Sequence, residues 1–254
     1  MAIAGFLLLL NLWAVKMIKG ILFDKDGTLL DFNGTWLEPY FQASRFLADC
    51  TGDPSLADRL MRNGGYIEQT GGWQCDSLLA SGSNEQIYEF WSAEMGGSMT
   101  SAQVSRIREI FSHAASSYVP AVENMGSLLQ SLRDKEIKLG LATMDDESNA
   151  RGMLKQLDLT GYFDFICGAD SGFGVKPDSG MINGFCMSCG LNPAEVLMVG
   201  DSPKDLNMGK NAGAALSVGV LTGAHGRKEL QELGDVVIDD ISGLLSLVHG
   251  DTKQ

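Results

Sequence analysis

Residues 17–30, Met17-Ile18-Lys19-Gly20-Ile21-Leu22-Phe23-Asp24-Lys25-Asp26-Gly27-Thr28-Leu29-Leu30, decide how the rest of the chain is read. The apolar run Ile18–Phe23 has the length and composition of a buried strand, and it stops at two acids that flank a lysine. In an open parallel sheet, ligands bind beyond the carboxyl ends of the strands, which is where Asp24 falls. Two carboxylates two positions apart on an extended segment can face one crevice, an arrangement that suits a hard cation such as Mg²⁺ with its oxygen ligands. It also suits a division of labour, with one carboxylate as nucleophile and the other as proton carrier. Gly27 lets the backbone turn sharply and approach a ligand. The bland reading is a capped strand-to-turn junction. Four fixed identities at about one in twenty each, however, coincide by chance in well under ~1% of chains this long.

Outward from this strand, short apolar runs alternate with amphipathic stretches, the pattern of a parallel sheet covered by helices and hence of an α/β, Rossmann-like core. Strands are expected over Ile18–Phe23, Ile137–Ala142, Phe165–Gly168, Val196–Val199, Ala215–Val220 and Val236–Ile238. Val122, Met125, Leu128, Leu129 and Leu132 share one helical face; Met181, Ile182, Phe185, Cys186 and Cys189 share another. Residues 31–119 show no strand pattern and read as helices over Trp36–Cys50, Ser55–Met61, Glu85–Met95 and Ser101–Ser117, interrupted by a glycine-rich stretch from Gly64 to Gly82. The expected organisation is a core of residues 17–30 and 120–254 with an inserted α-helical cap at 31–119. The leading residues 1–16, MAIAGFLLLLNLWAVK, form an apolar run shorter than the roughly 20 residues of a membrane span. They also lack a basic start and a clear cleavage site, so they read as an extension before a functional start at Met17; a tether or leader is the alternative.

Composition narrows the function. The 254 residues carry 19 Lys plus Arg against 32 Asp plus Glu, a formal net charge of −13. That balance disfavours nucleic acid or an anionic membrane surface as partner, because phosphate-backbone binding needs clustered cations. It leaves room for a small anionic ligand held by a few local donors and a metal. Five cysteines without a disulfide-like spacing fit a reducing compartment such as the cytoplasm.

Three further strand ends supply what phosphoryl transfer needs. Leu141-Ala142-Thr143 ends a strand on a hydroxyl donor; Gly174-Val175-Lys176-Pro177-Asp178 places a lysine in a stiffened loop; Met198-Val199-Gly200-Asp201-Ser202-Pro203-Lys204-Asp205 ends a strand with two acids four apart. Singly these are a strand-terminal hydroxyl, a surface lysine and a polar turn. Together they give acids for a metal and donors for phosphoryl oxygens, the charge stabilisation on which this transfer chiefly depends.

The four elements, Asp24-x-Asp26-Gly-Thr, Thr143, Lys176 and Gly200-Asp201-Ser202-Pro203-Lys204-Asp205, resemble the motifs of the haloacid dehalogenase superfamily, in particular its phosphoglycolate-phosphatase-like branch. The resemblance runs from Met17 to Leu245. It implies a Mg²⁺-dependent phosphatase acting on a small phosphorylated metabolite, with Asp24 attacking phosphorus to form an aspartyl-phosphate. Asp26 would protonate the leaving oxygen and then activate water, and Thr143, Lys176 and Gly27 would hold the phosphoryl group. Asp24, the Asp26 backbone carbonyl and Asp201 would bind Mg²⁺, with Asp205 supporting Lys176 or a metal-bound water. Residues 31–119 would be the cap that closes over the site and selects the substrate. One departure stands out: where the family usually has Asn or Ser after Thr143, this chain has Met144 and then Asp145 and Asp146, although the residue-144 N–H could still face the phosphoryl group. Asp26 favours phosphoryl over dehalogenase chemistry, and the absence of lysine from 31–119 disfavours a Schiff-base phosphonate mechanism. A phosphomutase of the same fold and a non-catalytic binding module are the alternatives.

Other features read as structure. Cys186 and Cys189 sit on an apolar stripe without a second pair to complete a metal site. His113, His225 and His249 lack ligand spacing. Asp145-Asp146-Glu147 reads as acids favoured at a helix start. Trp36, Trp73 and Trp91 read as cap packing, with Trp36 near enough to the first motif to line the entrance. Of Arg45, Arg59, Arg62, Arg106 and Arg108, one could clamp a substrate carboxylate.

Overall fold

In the computed structural model, which describes residues 18–74, 77–114 and 118–249, the first strand β1 (Gly20–Phe23) enters the centre of a sheet and leaves it for a long helical excursion. That excursion holds α1 (Phe32–Thr51), α2 (Leu56–Asn63), the hairpin β2 (Tyr66–Ile67) and β3 (Gly72–Trp73), α3 (Leu78–Ser81), α4 (Asn84–Glu94) and α5 (Ser101–Ala114). The chain then alternates α6 (Met125–Arg133), β4 (Lys138–Ala142), α7 (Glu147–Gln156), β5 (Phe165–Cys167), α8 (Gly180–Cys189), β6 (Val196–Gly200), α9 (Pro203–Ala212), β7 (Leu216–Val220), α10 (Arg227–Leu233), β8 (Val236–Ile238) and α11 (Leu244–His249). The six long-range strands are all parallel, in the order β5-β4-β1-β6-β7-β8. The order reverses at β1: from there the chain fills one side with β4 and β5 and the other with β6, β7 and β8, which makes the carboxyl end of β1 the natural crevice.

Strand alternation builds a core on each face of the sheet. Ile21 and Phe23 of β1, with Leu197 and Val199 of β6, join α6 and α7 on one side. Leu22 and Met198 point the other way, into a cluster with Met181, Ile182 and Phe185 of α8. The expected stripe on α8 is thus a packing face: Cys186 is buried in that cluster and Cys189 lies at its margin. The helical excursion packs around its own apolar cluster, in which Tyr40, Leu47, Leu60, Trp91 and Ile107 are buried. Its two ends run side by side where they leave the core: the Asp31 N–H donates to the Val119 carbonyl (2.8 Å) and the Ala121 N–H to the Leu29 carbonyl (2.9 Å).

Several element ends differ from the sequence reading for identifiable reasons. Helix α1 starts at Phe32, four residues before Trp36, because the Asp31 carboxylate accepts from the Gly34 N–H and caps it. Glycine at position 34 hides that start from a propensity argument. The Gly64–Gly82 stretch, expected to interrupt the helices without strands, contains the hairpin β2–β3 and the short α3. Two-residue strands are too short to show alternation, and Trp73 holds the hairpin by packing edge-on to Phe32, Tyr40 and Tyr66. The leading residues 1–16 and Met17, and the last residues of the expected helix Ser101–Ser117, lie outside the described residues. Among the described residues no helix is long and apolar enough to cross a membrane.

Candidate active site

The carboxyl ends of the central strands converge on one cavity of about 1180 Å³, which lies between the sheet and the helical excursion. Asp24, Asp26, Thr143, Lys176, Asp201 and Asp205 all line it, together with Met144, Asp145, Trp36, Tyr88 and Arg108. Residues spread over more than 180 positions of sequence therefore meet at one point. Asp24 follows β1, Thr143 follows β4 and Asp201 follows β6, whereas Lys176 comes from the loop after β5 and Asp205 from the first turn of α9.

Asp24 is held at the end of β1 by its N–H, which donates to the Val199 carbonyl of β6 (2.8 Å). Its Oδ1 accepts from Lys176 Nζ, and the same ammonium donates to Asp205 Oδ1 at 2.6 Å. All three side chains are buried. Asp205 is fixed from behind: its Oδ2 accepts from the Ser202 N–H (3.1 Å) and the Ser202 hydroxyl (2.6 Å) in a capping box at the start of α9. The second acid of Gly200–Asp205 thus has a local reason for its place, and it uses that place to aim Lys176.

Side-chain oxygens of Asp24, Asp201 and Asp205 lie within 4.8 Å of one another. Burial, reinforced by the neighbouring Asp205 and Asp26 charges and opposed by Lys176, pushes Asp24 up to about 7. Burial, with the charges of Asp24 and Asp205, likewise lifts Asp201 well above the carboxylate range. Burial would lower the Lys176 ammonium, but the Asp205 and Asp24 charges outweigh it and hold the group above the ordinary lysine range. Three buried carboxylates share one cation, an uncompensated arrangement that a hard divalent ion with oxygen ligands would relieve. The donor set therefore fits Mg²⁺. Asp201 Oδ2 also accepts from the Ala224 N–H (3.1 Å), which orients it.

The Thr143 hydroxyl accepts from the Asp145 N–H (3.1 Å), which leaves its own proton for an incoming acceptor. Gly27 plays a different part from the phosphate contact expected of it. Its N–H is committed to the Leu30 carbonyl (2.8 Å) and it does not line the cavity. It adopts φ +80°, and a Cβ there would stand 2.6 Å from Asp201 Cγ, so it supplies room for the acid.

Three residues at the site have roles that the sequence reading did not give them. Lys25, between the two acids, is fully buried, 3.3 Å from Asp26 Oδ2, and ion-paired to Asp145. Asp145, which reads as a helix-start acid, faces the site, accepting from Asn149 (2.8 Å) and, across the cavity, from Asn84 of α4 (3.3 Å). Trp36 packs against Phe111 and Tyr118 as expected of a packing residue, and its indole N–H also donates to Asp26 Oδ1. A lysine locked between two acids in a strand-end motif was the available signal, since an unpaired buried lysine is costly.

The family description "Haloacid dehalogenase-like hydrolase" matches residues 60–218. The chain is 28% identical over 234 residues to "Putative pyrophosphatase PpaX" of Clostridium perfringens, covering 92% of this chain and 98% of that one. It is also 28% identical to a phosphoglycolate phosphatase of Vibrio cholerae, again over 92% and 98% of the two chains. Its fold superposes with a TM-score of 0.67 on the crystal structure of a predicted phosphoglycolate phosphatase from Haemophilus somnus, at 19% identity and over 91% of this chain and 98% of that one, a likeness of fold. With more than half its length matched by the family, and with the parallel sheet and strand-end acids that the motifs require, the chain belongs to the haloacid dehalogenase-like hydrolase family.

Proposed function

We propose that the protein is a Mg²⁺-dependent phosphatase that hydrolyses a small phosphomonoester, of the phosphoglycolate or sugar-phosphate type, through an aspartyl-phosphate. The observation that carries this reading is the buried Asp24 carboxylate. It lies at the end of β1, gripped by Lys176 and within reach of Asp201, and it opens on the cavity.

In the first half-reaction, an Asp24 oxygen attacks phosphorus, the bond from phosphorus to the leaving oxygen breaks, and Asp26 gives that oxygen its proton, releasing an alcohol. In the second, a water whose proton passes to Asp26 attacks the aspartyl-phosphate. The bond between Asp24 and phosphorus breaks, inorganic phosphate leaves, and both acids return to their starting states. Lys176 and the Thr143 hydroxyl hold the phosphoryl oxygens as charge develops on them. Asp24 and Asp201 would hold the metal, with the Asp26 backbone carbonyl carried over from the family resemblance. Asp205 is spent on Lys176 and Ser202. The ion supplies positive charge that neutralises the buried acids and polarises the phosphoryl group.

The helical residues 31–119 act as the cap. Lys204 Nζ at the head of α9 donates to the Ser81 carbonyl at the end of α3 (2.7 Å), a bond that joins the two sides of the cavity. A closed cavity excludes competing water from the first half-reaction. Of the cap arginines, Arg108 is the one among the described residues that lines the cavity. It supports a substrate whose remote end is anionic, such as the carboxylate of phosphoglycolate.

The test is phosphate release with Mg²⁺ over phosphoglycolate, sugar phosphates and nucleotides, for the wild type and Asp24→Asn. The variant should lose turnover on every substrate; retained turnover refutes the assignment of the nucleophile.

A further inference from the structure

Lys25 is fully buried and does not line the cavity, so it cannot touch a substrate. A lysine in that position is costly to desolvate unless its partners are well placed. Its partners are Asp26 Oδ2 (3.3 Å) and the Asp145 carboxylate, and its ammonium also lies 5.7 Å from the centre of the Trp36 ring. Trp36 in turn donates its indole N–H to the other oxygen of Asp26 (2.5 Å). Asp145 is itself immobilised, by Asn149 Nδ2 and the Asp146 N–H, both at 2.8 Å. Both oxygens of the Asp26 carboxylate are therefore engaged, one by a strand-end lysine and one by the first cap helix. A carboxylate gripped at both oxygens has lost rotation about its last bond, and each oxygen keeps a lone pair for a proton.

We propose that Lys25 and Trp36 are positioning residues for Asp26. They fix the plane of its carboxyl group so that the oxygen carrying the proton faces the leaving oxygen, and Asp145 anchors Lys25 in that task. This rests on the reading of Asp26 as the proton carrier. Positioning matters because proton transfer needs the donor within hydrogen-bond reach and correctly aligned.

The test exploits the leaving group. An alkoxide must be protonated as it departs, whereas p-nitrophenolate leaves well without a proton. The ratio of kcat/KM for β-glycerol phosphate to that for p-nitrophenyl phosphate therefore reads proton delivery and is blind to a general loss of active protein. Trp36→Phe keeps an aromatic ring and removes the indole N–H; Lys25→Met removes the cation and keeps the bulk. Each variant should lose about 10–100-fold on β-glycerol phosphate and less than about 3-fold on p-nitrophenyl phosphate, a share of the 10²–10⁴ that general acid catalysis supplies. Asp26→Asn is the control and should show the same selectivity, larger. If Trp36→Phe lowers both substrates alike while Asp26→Asn remains selective, the positioning role is overturned and the reading of Asp26 stands. If Asp26→Asn is itself unselective, the reading of Asp26 fails and the proposal with it. Should Lys25→Met not fold, Trp36→Phe decides alone.

Discussion

A site assembled from buried like charges should cost the metal-free protein stability, and Asp201→Asn measures that cost. The Asp201 oxygens lie within 4.8 Å of those of Asp24 and Asp205. Lys176 bridges the latter two, so Asp201 faces an excess of about one negative charge. At an effective dielectric of about 20, two like charges at that separation repel by about 3 kcal/mol. Relaxation and partial protonation reduce this, and a gain of about 1–3 kcal/mol is expected on removing the charge. Asparagine keeps the shape that Gly27 and Gly223 enclose, and its carbonyl can still accept from Ala224 N–H. In EDTA at pH 8, the variant should melt roughly 2–12 °C above the wild type, given about 2–4 °C per kcal/mol for a protein near this size. Mg²⁺ should then close or reverse the gap. At 100 times its dissociation constant it stabilises the wild type by about 2.7 kcal/mol, and it should do far less for a protein without the Asp201 charge. The assay is a pair of thermal melts, with and without the ion, beside phosphate release. A variant that melts at or below the wild type in EDTA, or that gains as much from Mg²⁺, refutes the argument that these acids form a strained cation site.

Two further outcomes follow from the same geometry. Gly27→Ala places a Cβ 2.6 Å from Asp201 Cγ at φ +80°, so it should destabilise the fold by at least about 1–2 kcal/mol and lower kcat by more than about 10-fold, read from a melt and a rate assay. Protons compete with the metal for Asp24, raised to about 7, and for Asp201. At low Mg²⁺ activity should therefore rise with pH through about 7, and raising Mg²⁺ should move that limb to lower pH; a limb indifferent to the ion refutes the competition. The linked stability has the opposite slope. Between 3.8 and about 7 the folded Asp24 carries a proton that the unfolded chain has lost, so the metal-free protein should become less stable as pH rises through that window.

The sheet was legible in the sequence because a strand buried on both faces writes a continuous apolar run. The run Val236–Ile238 was read to the residue, and the others missed by one or two positions at ends where a neighbouring strand decides the pairing. Asp24 and Asp201 were legible because each falls at the end of such a run, and Asp26 and Asp205 through their spacing from them. What stayed hidden was set by contacts distant in sequence. No local pattern links Lys25 to Asp145, 120 positions later, or tells Trp36 to turn its N–H toward Asp26 while its ring packs against Phe111 and Tyr118. The hairpin near Trp73 stayed hidden for another reason: aromatic packing holds two strands too short to carry a period.

The net charge of −13 acquires a local meaning from these contacts. Five carboxylates, Asp24, Asp26, Asp145, Asp201 and Asp205, surround the place where a phosphoryl group would sit, and two buried lysines face them. Lys176 divides itself between Asp24 and Asp205, Lys25 between Asp26 and Asp145, and Asp201 has neither. A phosphate dianion brought to that centre meets an excess of negative charge that Lys25 and Lys176 do not offset, in a region where low dielectric makes the repulsion large. The docking of an anion and the ionisation of Asp24 therefore call for the same thing, a compact cation beside Asp201. Arg108 stands at the cavity wall contributed by α5 and can meet the far end of a substrate, but the reacting end needs charge at the acids themselves. In the proposed reaction the lysines would orient the two working carboxylates, one each, and a divalent ion would neutralise what they leave over. Acidity at this site is thus the means by which the chain would draw in a cation and, through it, an anion.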